Sequence, residues 1–171
     1  MKKVLIFLAF IIAVKASAQD DALNKFFKTY MDDQRFSTVY ISPKMFQLVS
    51  KIKINDMDAD LQETLKNLTA LHILSTHDSP RSFYKEALGK INTKEYDELM
   101  KVRDDGEDVI FLTKAIAGKP DSIGELLMLV GGDDEFTAVS FVGNIDLNTI
   151  GKLGKTLKID GADHLEKIKK N

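Results

Sequence analysis

The feature that most restricts the fold is a series of four short apolar segments in the second half of the chain. Glycine, aspartate and proline dominate the connections between them, and these residues are typical of tight turns between antiparallel strands. Four consecutive strands joined in this way predict an antiparallel β-meander. The predicted strands are 99–103, 109–116, 123–130 and 136–142, with turns at 104–107, 118–121 and 131–134.

Two of these strands are apolar without interruption, at residues 109–112 and 126–130. A sheet with one face in water alternates apolar and polar residues, so these runs predict a sheet that is buried on both faces. We expect helices of the same chain to cover both sides. The alternative is that a partner or a ligand covers one of them.

The first half of the chain supplies the helices. Residues 23, 26, 27 and 30 are apolar at the spacing of an amphipathic helix. The Ser-Pro pairs at 42–43 and 79–80 predict two helix starts, because serine caps a helix and proline suits its first turn. Two earlier strands (35–41 and 69–75), a helix at 58–68 and a last helix from Asp146 complete an α+β fold in a single domain over residues 19–171.

The N-terminus has the pattern of a secretory signal peptide. Lys2 and Lys3 precede an apolar run at 4–14, and small residues lead to a cleavage site between Ala18 and Gln19. The apolar run is too short to span a bilayer. We therefore expect residues 1–18 to be removed and the protein to be exported to the periplasm or the extracellular space, soluble and without a transmembrane segment.

Composition excludes several classes of protein. The chain has no cysteine, which removes disulfides, thiol catalysis, cysteine-based zinc sites and lipoprotein anchoring at Gln19. Removing Lys2, Lys3 and Lys15 from the 24 basic residues leaves 21 against 26 acidic ones, so the expected mature chain carries about five net negative charges. Such a charge argues against nucleic acid as a partner.

Neither the histidines nor the acidic clusters form a recognisable catalytic or metal motif. His72 lies within an apolar strand and is expected to be a core residue, while His77 stands beside Asp78 before a helix. The acidic groups at 104–108 and 133–135 would bind a cation weakly, and only if their turns meet in space. We predict no catalytic residue, no cofactor and no metal.

Three segments carry a resemblance to a known family: 39–46 (VYISPKMF), 125–132 (ELLMLVGG) and 141–147 (FVGNIDL), which follow a signal peptide and a short helix with Phe27 and Tyr30. With these features the chain resembles the exported Bacteroidetes proteins grouped as domain of unknown function 4252. The resemblance implies an exported domain without an assigned activity. Members often carry a lipoprotein cysteine, which this chain lacks.

These observations predict a non-enzymatic, exported module of the cell envelope that binds a protein, an apolar ligand or a second copy of itself. One alternative is a carrier that encloses a lipid-like ligand between sheet and helices. Another is a hydrolase whose site matches no known motif. The candidate apolar interaction face, which would also line a carrier's cavity, comprises Phe111, Leu127, Met128 and Phe141.

Overall fold

The computed structural model of the protein describes residues 22–49, 51, 59–91, 95–146 and 150. The predicted signal peptide and its cleavage site between Ala18 and Gln19 lie outside the described residues, as does most of the helix predicted after Asp146. The elements are α1 Ala22–Tyr30, β1 Ser37–Ile41, α2 Pro43–Val49, α3 Ala59–Asn67, β2 Leu68–Thr76, α4 Pro80–Lys90, β3 Asp97–Asp104, β4 Glu107–Ile116, β5 Lys119–Gly131 and β6 Phe136–Ile145.

The strands form one antiparallel sheet in the order β1-β2-β6-β5-β4-β3. The predicted meander is confirmed as β3 to β6, and the two earlier strands extend the sheet beyond β6. The α+β fold is therefore confirmed. Strand β5 lies inside the sheet between β4 and β6, whereas β1 and β3 form the two edges.

Both Ser-Pro pairs precede helices, but the two serines act differently. Ser42 Oγ accepts a hydrogen bond from the backbone N–H of Met45 at 3.3 Å, as an N-cap does. Ser79 has a left-handed backbone (φ 48°) and makes no side-chain cap bond. Its hydroxyl donates to Asp78 Oδ1 at 2.9 Å instead. The start of α4 thus rests on Pro80 rather than on a capping side chain.

Helices cover both faces of the sheet, as the uninterrupted apolar strands predict. Helices α1 and α4 pack on one side, called here the α1–α4 face, and α2 and α3 pack on the other, the α2–α3 face. Along β5, Leu127 and Leu129 point to the α1–α4 face. Leu126, Met128 and Val130 point to the α2–α3 face. All five side chains are at most 3% exposed, so both faces of the sheet are buried at β5.

The described helices are short. Among the residues that the structure describes, none of the helices has the length and apolar character needed to cross a membrane.

Candidate functional site

The four residues of the predicted interaction face do not form one surface. Phe111, Met128 and Phe141 lie together on the α2–α3 face, while Leu127 lies on the opposite side of the sheet. Neighbouring residues in a strand point to opposite faces, so Leu127 and Met128 cannot share one. None of the four is more than 4% exposed, and each is part of the packed core.

Among the described residues, the large exposed apolar side chains lie instead at and beside β1. Val39 and Tyr40 on this strand and Met45 and Leu48 on the following helix are each about half exposed, between 47% and 51%. We call these four side chains the β1 edge patch. Val39 is opposite Ile73, which belongs to the α2–α3 side, so Val39 and Tyr40 project from the two faces of the strand. The patch therefore straddles the edge of the sheet.

Tyr40 is held in place by a stack of rings. Its ring lies 4.9 Å from that of His72, with the planes 19° apart. Phe27 from α1 contacts the same imidazole at 5.1 Å. Burial lowers the pKa of His72, so the imidazole is neutral at pH 7 and adds no charge beneath the patch. His72 is a packing residue of the sheet, as its sequence context predicts.

The two edges of the sheet differ in kind. Edge strand β3 carries Asp97, Glu98, Lys101, Arg103 and Asp104, and its pairing with β4 contains a register shift. Charges and bulges are the devices by which proteins protect a sheet edge from further pairing. Strand β1 has no charged residue, and its five pairs with β2 run without a shift. In the described part of the chain, β1 pairs with β2 alone, which leaves its outer edge open.

A second feature is an acidic cleft of about 470 Å³ at one end of the sheet. The β3–β4 turn and the β5–β6 turn meet there. The two acidic clusters of these turns therefore lie close together in space, which was the requirement stated above for weak cation binding. Among the described residues, however, no group of three or more histidine, aspartate or glutamate side chains is arranged to hold a metal ion. The lining side chains include Asp104, Asp105, Glu107, Asp133, Asp134 and Glu135.

Arginines balance part of this negative charge. Arg81 from α4 reaches Asp133 Oδ1 at 2.6 Å and Asp108 Oδ2 at 3.5 Å, and it donates to the carbonyl oxygen of Gly106. Arg103 Nε donates to Asp108 Oδ1 at 2.5 Å. These bonds tie both turns to α4. The contacts place Asp108 and Asp133 in a structural network that holds one end of the sheet together.

We expect Asp108→Asn to lower the melting temperature at pH 7 by about 2–4 °C, because it removes two ion-pair contacts. The hydrogen bond from Arg103, together with nearby positive charges, lowers the pKa of Asp108 in the folded protein. Its stabilising effect is therefore present above an ordinary aspartate pKa and is lost as pH falls through the folded value. Melts across the acid range should show wild type and variant converging once the pH falls below this lowered pKa. The exposed Asp134→Asn is the control; equal effects of the two would contradict the assignment.

Among the described residues, His72 and His77 do not form a catalytic triad. Glu125 is buried on the α1–α4 side and accepts hydrogen bonds from Tyr96 Oη (3.0 Å) and Ser140 Oγ (2.8 Å). His72 lies opposite Ser140 in the sheet, but the serine donates to the glutamate rather than to the imidazole. A serine hydrolase needs the reverse order, with histidine between hydroxyl and carboxylate. His77 bonds through Nδ1 to the carbonyl oxygen of Asp134 at 2.9 Å, not to a carboxylate.

Sequence reasoning missed the β1 edge patch. The segment 35–41 is rich in β-branched and aromatic residues, and such a composition indicates a strand without indicating its place in the sheet. The sequence does contain one relevant signal. Strand β1 has no long uninterrupted apolar run, whereas β5 has one at residues 126–130.

Comparison with known proteins gives one assignment. No curated protein and no solved structure matches the chain. A family model described as Domain of unknown function (DUF4252) matches residues 30–153, from the end of α1 through the whole sheet. The resemblance expected from the sequence is thereby confirmed, and the chain belongs to the DUF4252 family.

Proposed function

We propose that this protein is an exported, non-enzymatic interaction module that binds an extended segment of another protein along β1. In this mode of recognition the bound segment becomes an additional strand of the sheet. Backbone hydrogen bonds supply affinity, and side chains on either side of the edge supply specificity. The observation that carries the proposal is the open, uncharged edge of β1 beside four half-exposed apolar side chains.

Three properties of the edge support this reading. Strand β1 is regular over its five pairs with β2, so its outer backbone groups form a straight ladder. Val39 and Tyr40 present an apolar contact on each face. Tyr40 is fixed by its stack on His72, which reduces the ordering cost of binding. An edge with these properties is a ready template for a further strand.

The two other functions find less support. A lipid carrier requires an apolar cavity, and the side chains expected to line it are packed to 4% exposure or less. The acidic cleft is polar and held by arginine bonds, so it suits no lipid. A hydrolase would need a histidine paired with a nucleophile or a carboxylate, and the described contacts of His72 and His77 provide neither.

Proline scanning of β1 tests the proposal. In an edge strand, successive N–H groups point alternately toward the neighbour and away from it. Of Thr38→Pro and Val39→Pro, one should therefore keep the wild-type melting temperature, because proline is tolerated where the N–H faces outward. Short random peptides displayed on phage would be selected on the purified wild-type protein and then assayed on that folded variant.

We expect the selected peptides to alternate β-branched or aromatic residues and to lose most of their affinity for the folded proline variant. Peptides that bind the wild type and this variant equally would contradict strand addition. A selection that enriches no peptide would contradict it as well.

A further inference from the structure

The surroundings of β1 are basic in a protein that is acidic overall. Helix α1 packs against β2, the neighbour of β1, and carries Lys25 and no acidic residue. Helix α2 on the other face carries Lys44 and no acidic residue, and Lys51 follows it. Lys25, Lys44 and Lys51 are all exposed. Between Gln34 and Asn55 the chain has no aspartate or glutamate, although its net charge is −2.

Two acidic groups in the described part of the chain near this region, Asp33 and Glu63, are directed elsewhere. Asp33 is bound by Arg35, with Nη2 and Oδ2 2.6 Å apart, and this bonding holds the pKa of Asp33 at about 2. Glu63 on α3 is two positions from Leu65, which packs into the core, so helical spacing directs Glu63 away from the sheet. Asp32, beyond the end of α1, is exposed.

We infer that the occupant of the β1 edge is an extended peptide segment in which acidic residues flank a short alternating apolar run. This inference rests on the proposed function and specifies its partner. The apolar run would contact the β1 edge patch, and the flanking carboxylates would lie near Lys44 and Lys25. Complementary charge of this kind steers association and selects among partners.

Charge and hydrogen bonding also favour an acidic peptide over two alternative occupants of the β1 edge, a second copy of the chain and a lipid surface. If β1 paired with β1 of a second copy, the lysines of both copies would be brought together, and like charges at a junction oppose association. A lipid surface would attract lysines and apolar side chains, but it offers no ladder of amide groups to the open backbone of β1. An acidic, extended polypeptide satisfies the backbone, the apolar patch and the lysines together.

Three synthetic peptides test the inference. They share one core of alternating threonine and valine and differ in flanking residues, which are glutamate, serine or lysine. Binding is followed by amide chemical shifts of the isotope-labelled wild-type protein. At low ionic strength the glutamate-flanked peptide should bind roughly tenfold more tightly than the lysine-flanked one, since several exposed charge pairs each contribute a small factor. The difference should shrink at about 0.5 M salt.

Charge reversal supplies the matched variants. Lys44→Glu should remove most of the preference for the glutamate-flanked peptide, and an acidic residue is well tolerated in the first turn of a helix. Lys85→Glu is the control, because Lys85 is an exposed lysine on α4, which packs over β5 and β6 rather than near β1. This control should keep the wild-type preference.

Each contrary result has a distinct meaning. Equal binding of the three peptides, abolished by the folded proline variant, would overturn the acidic partner while preserving strand addition. If no peptide shifts the amides of β1, the proposed function itself fails. Self-association that the proline variant abolishes would replace the peptide by a second copy. Binding to phosphatidylglycerol vesicles that the proline variant retains, without peptide binding, would replace it by a lipid surface.

Discussion

Replacing Leu127 with alanine should lower the free energy of unfolding by about 2–5 kcal/mol, the usual range for truncating a fully buried leucine. The side chain is 0% exposed and lies on the α1–α4 face of β5. Met128→Ala should cost a similar amount, because Met128 is only 3% exposed on the opposite face. Urea melts of the two variants measure both effects.

The pair tests whether both faces of the sheet are core in the isolated chain. Val39→Ala is the control; it truncates a strand side chain that is 48% exposed and should cost less than about 1 kcal/mol. If only one of the two β5 variants were costly, one face would be covered by something other than this chain. Elution volumes recorded with the melts would then reveal a change in self-association.

Gly143→Ala should be equally damaging, with an expected loss of about 2–5 kcal/mol. Gly143 has a φ of +150°, a backbone conformation that residues with a side chain rarely adopt. A Cβ there would overlap the carbonyl oxygen of Asn67 and lie 2.7 Å from Cα of Leu68. Both contacts are with backbone at the junction of α3 and β2, so neither can move aside as a flexible side chain would.

Gly89→Ala is the matched control for this substitution. Gly89 lies in α4, and a Cβ added there would meet nothing within 4 Å. The control should stabilise the protein by about 0.4–1 kcal/mol, because alanine restricts the unfolded chain more than glycine does. A melting temperature of Gly143→Ala close to that of the wild type would show that β6 and β2 do not approach each other as described.

Most of the fold could be predicted from local patterns. The run at 126–130 indicates a strand buried on both faces, and the turn-rich connections place it within a meander. What local patterns could not supply is the addition of β2 and β1 beyond β6. That arrangement depends on contacts between residues far apart in the chain, such as Leu71 with Phe141. Neither the apolar periodicity nor the turn residues of the sequence indicate these strand pairings.

Only part of the candidate site could be predicted from the sequence, because the rest also depends on contacts between residues far apart in the chain. The acidic composition of two turns is visible in the sequence, but their meeting beside Arg81 depends on the order of the strands. The sequence predicts an apolar interaction face at Phe111, Leu127, Met128 and Phe141, on the apolar strands of the meander. Such strands are the ones that a sheet buries, so exposed apolar contacts are found where the pattern is weaker, at Val39 and Tyr40.

The unlike edges of the sheet set a limit on assembly. A sheet with two open edges can add strands at both ends and grow into a filament, with each new copy offering a fresh end. Here the end at β3 is interrupted by a register shift and carries five charged side chains, so the strand addition proposed above would take place at β1 alone. Under this proposal one chain would accept one strand, and the stoichiometry of the complex would be limited to one segment per protein.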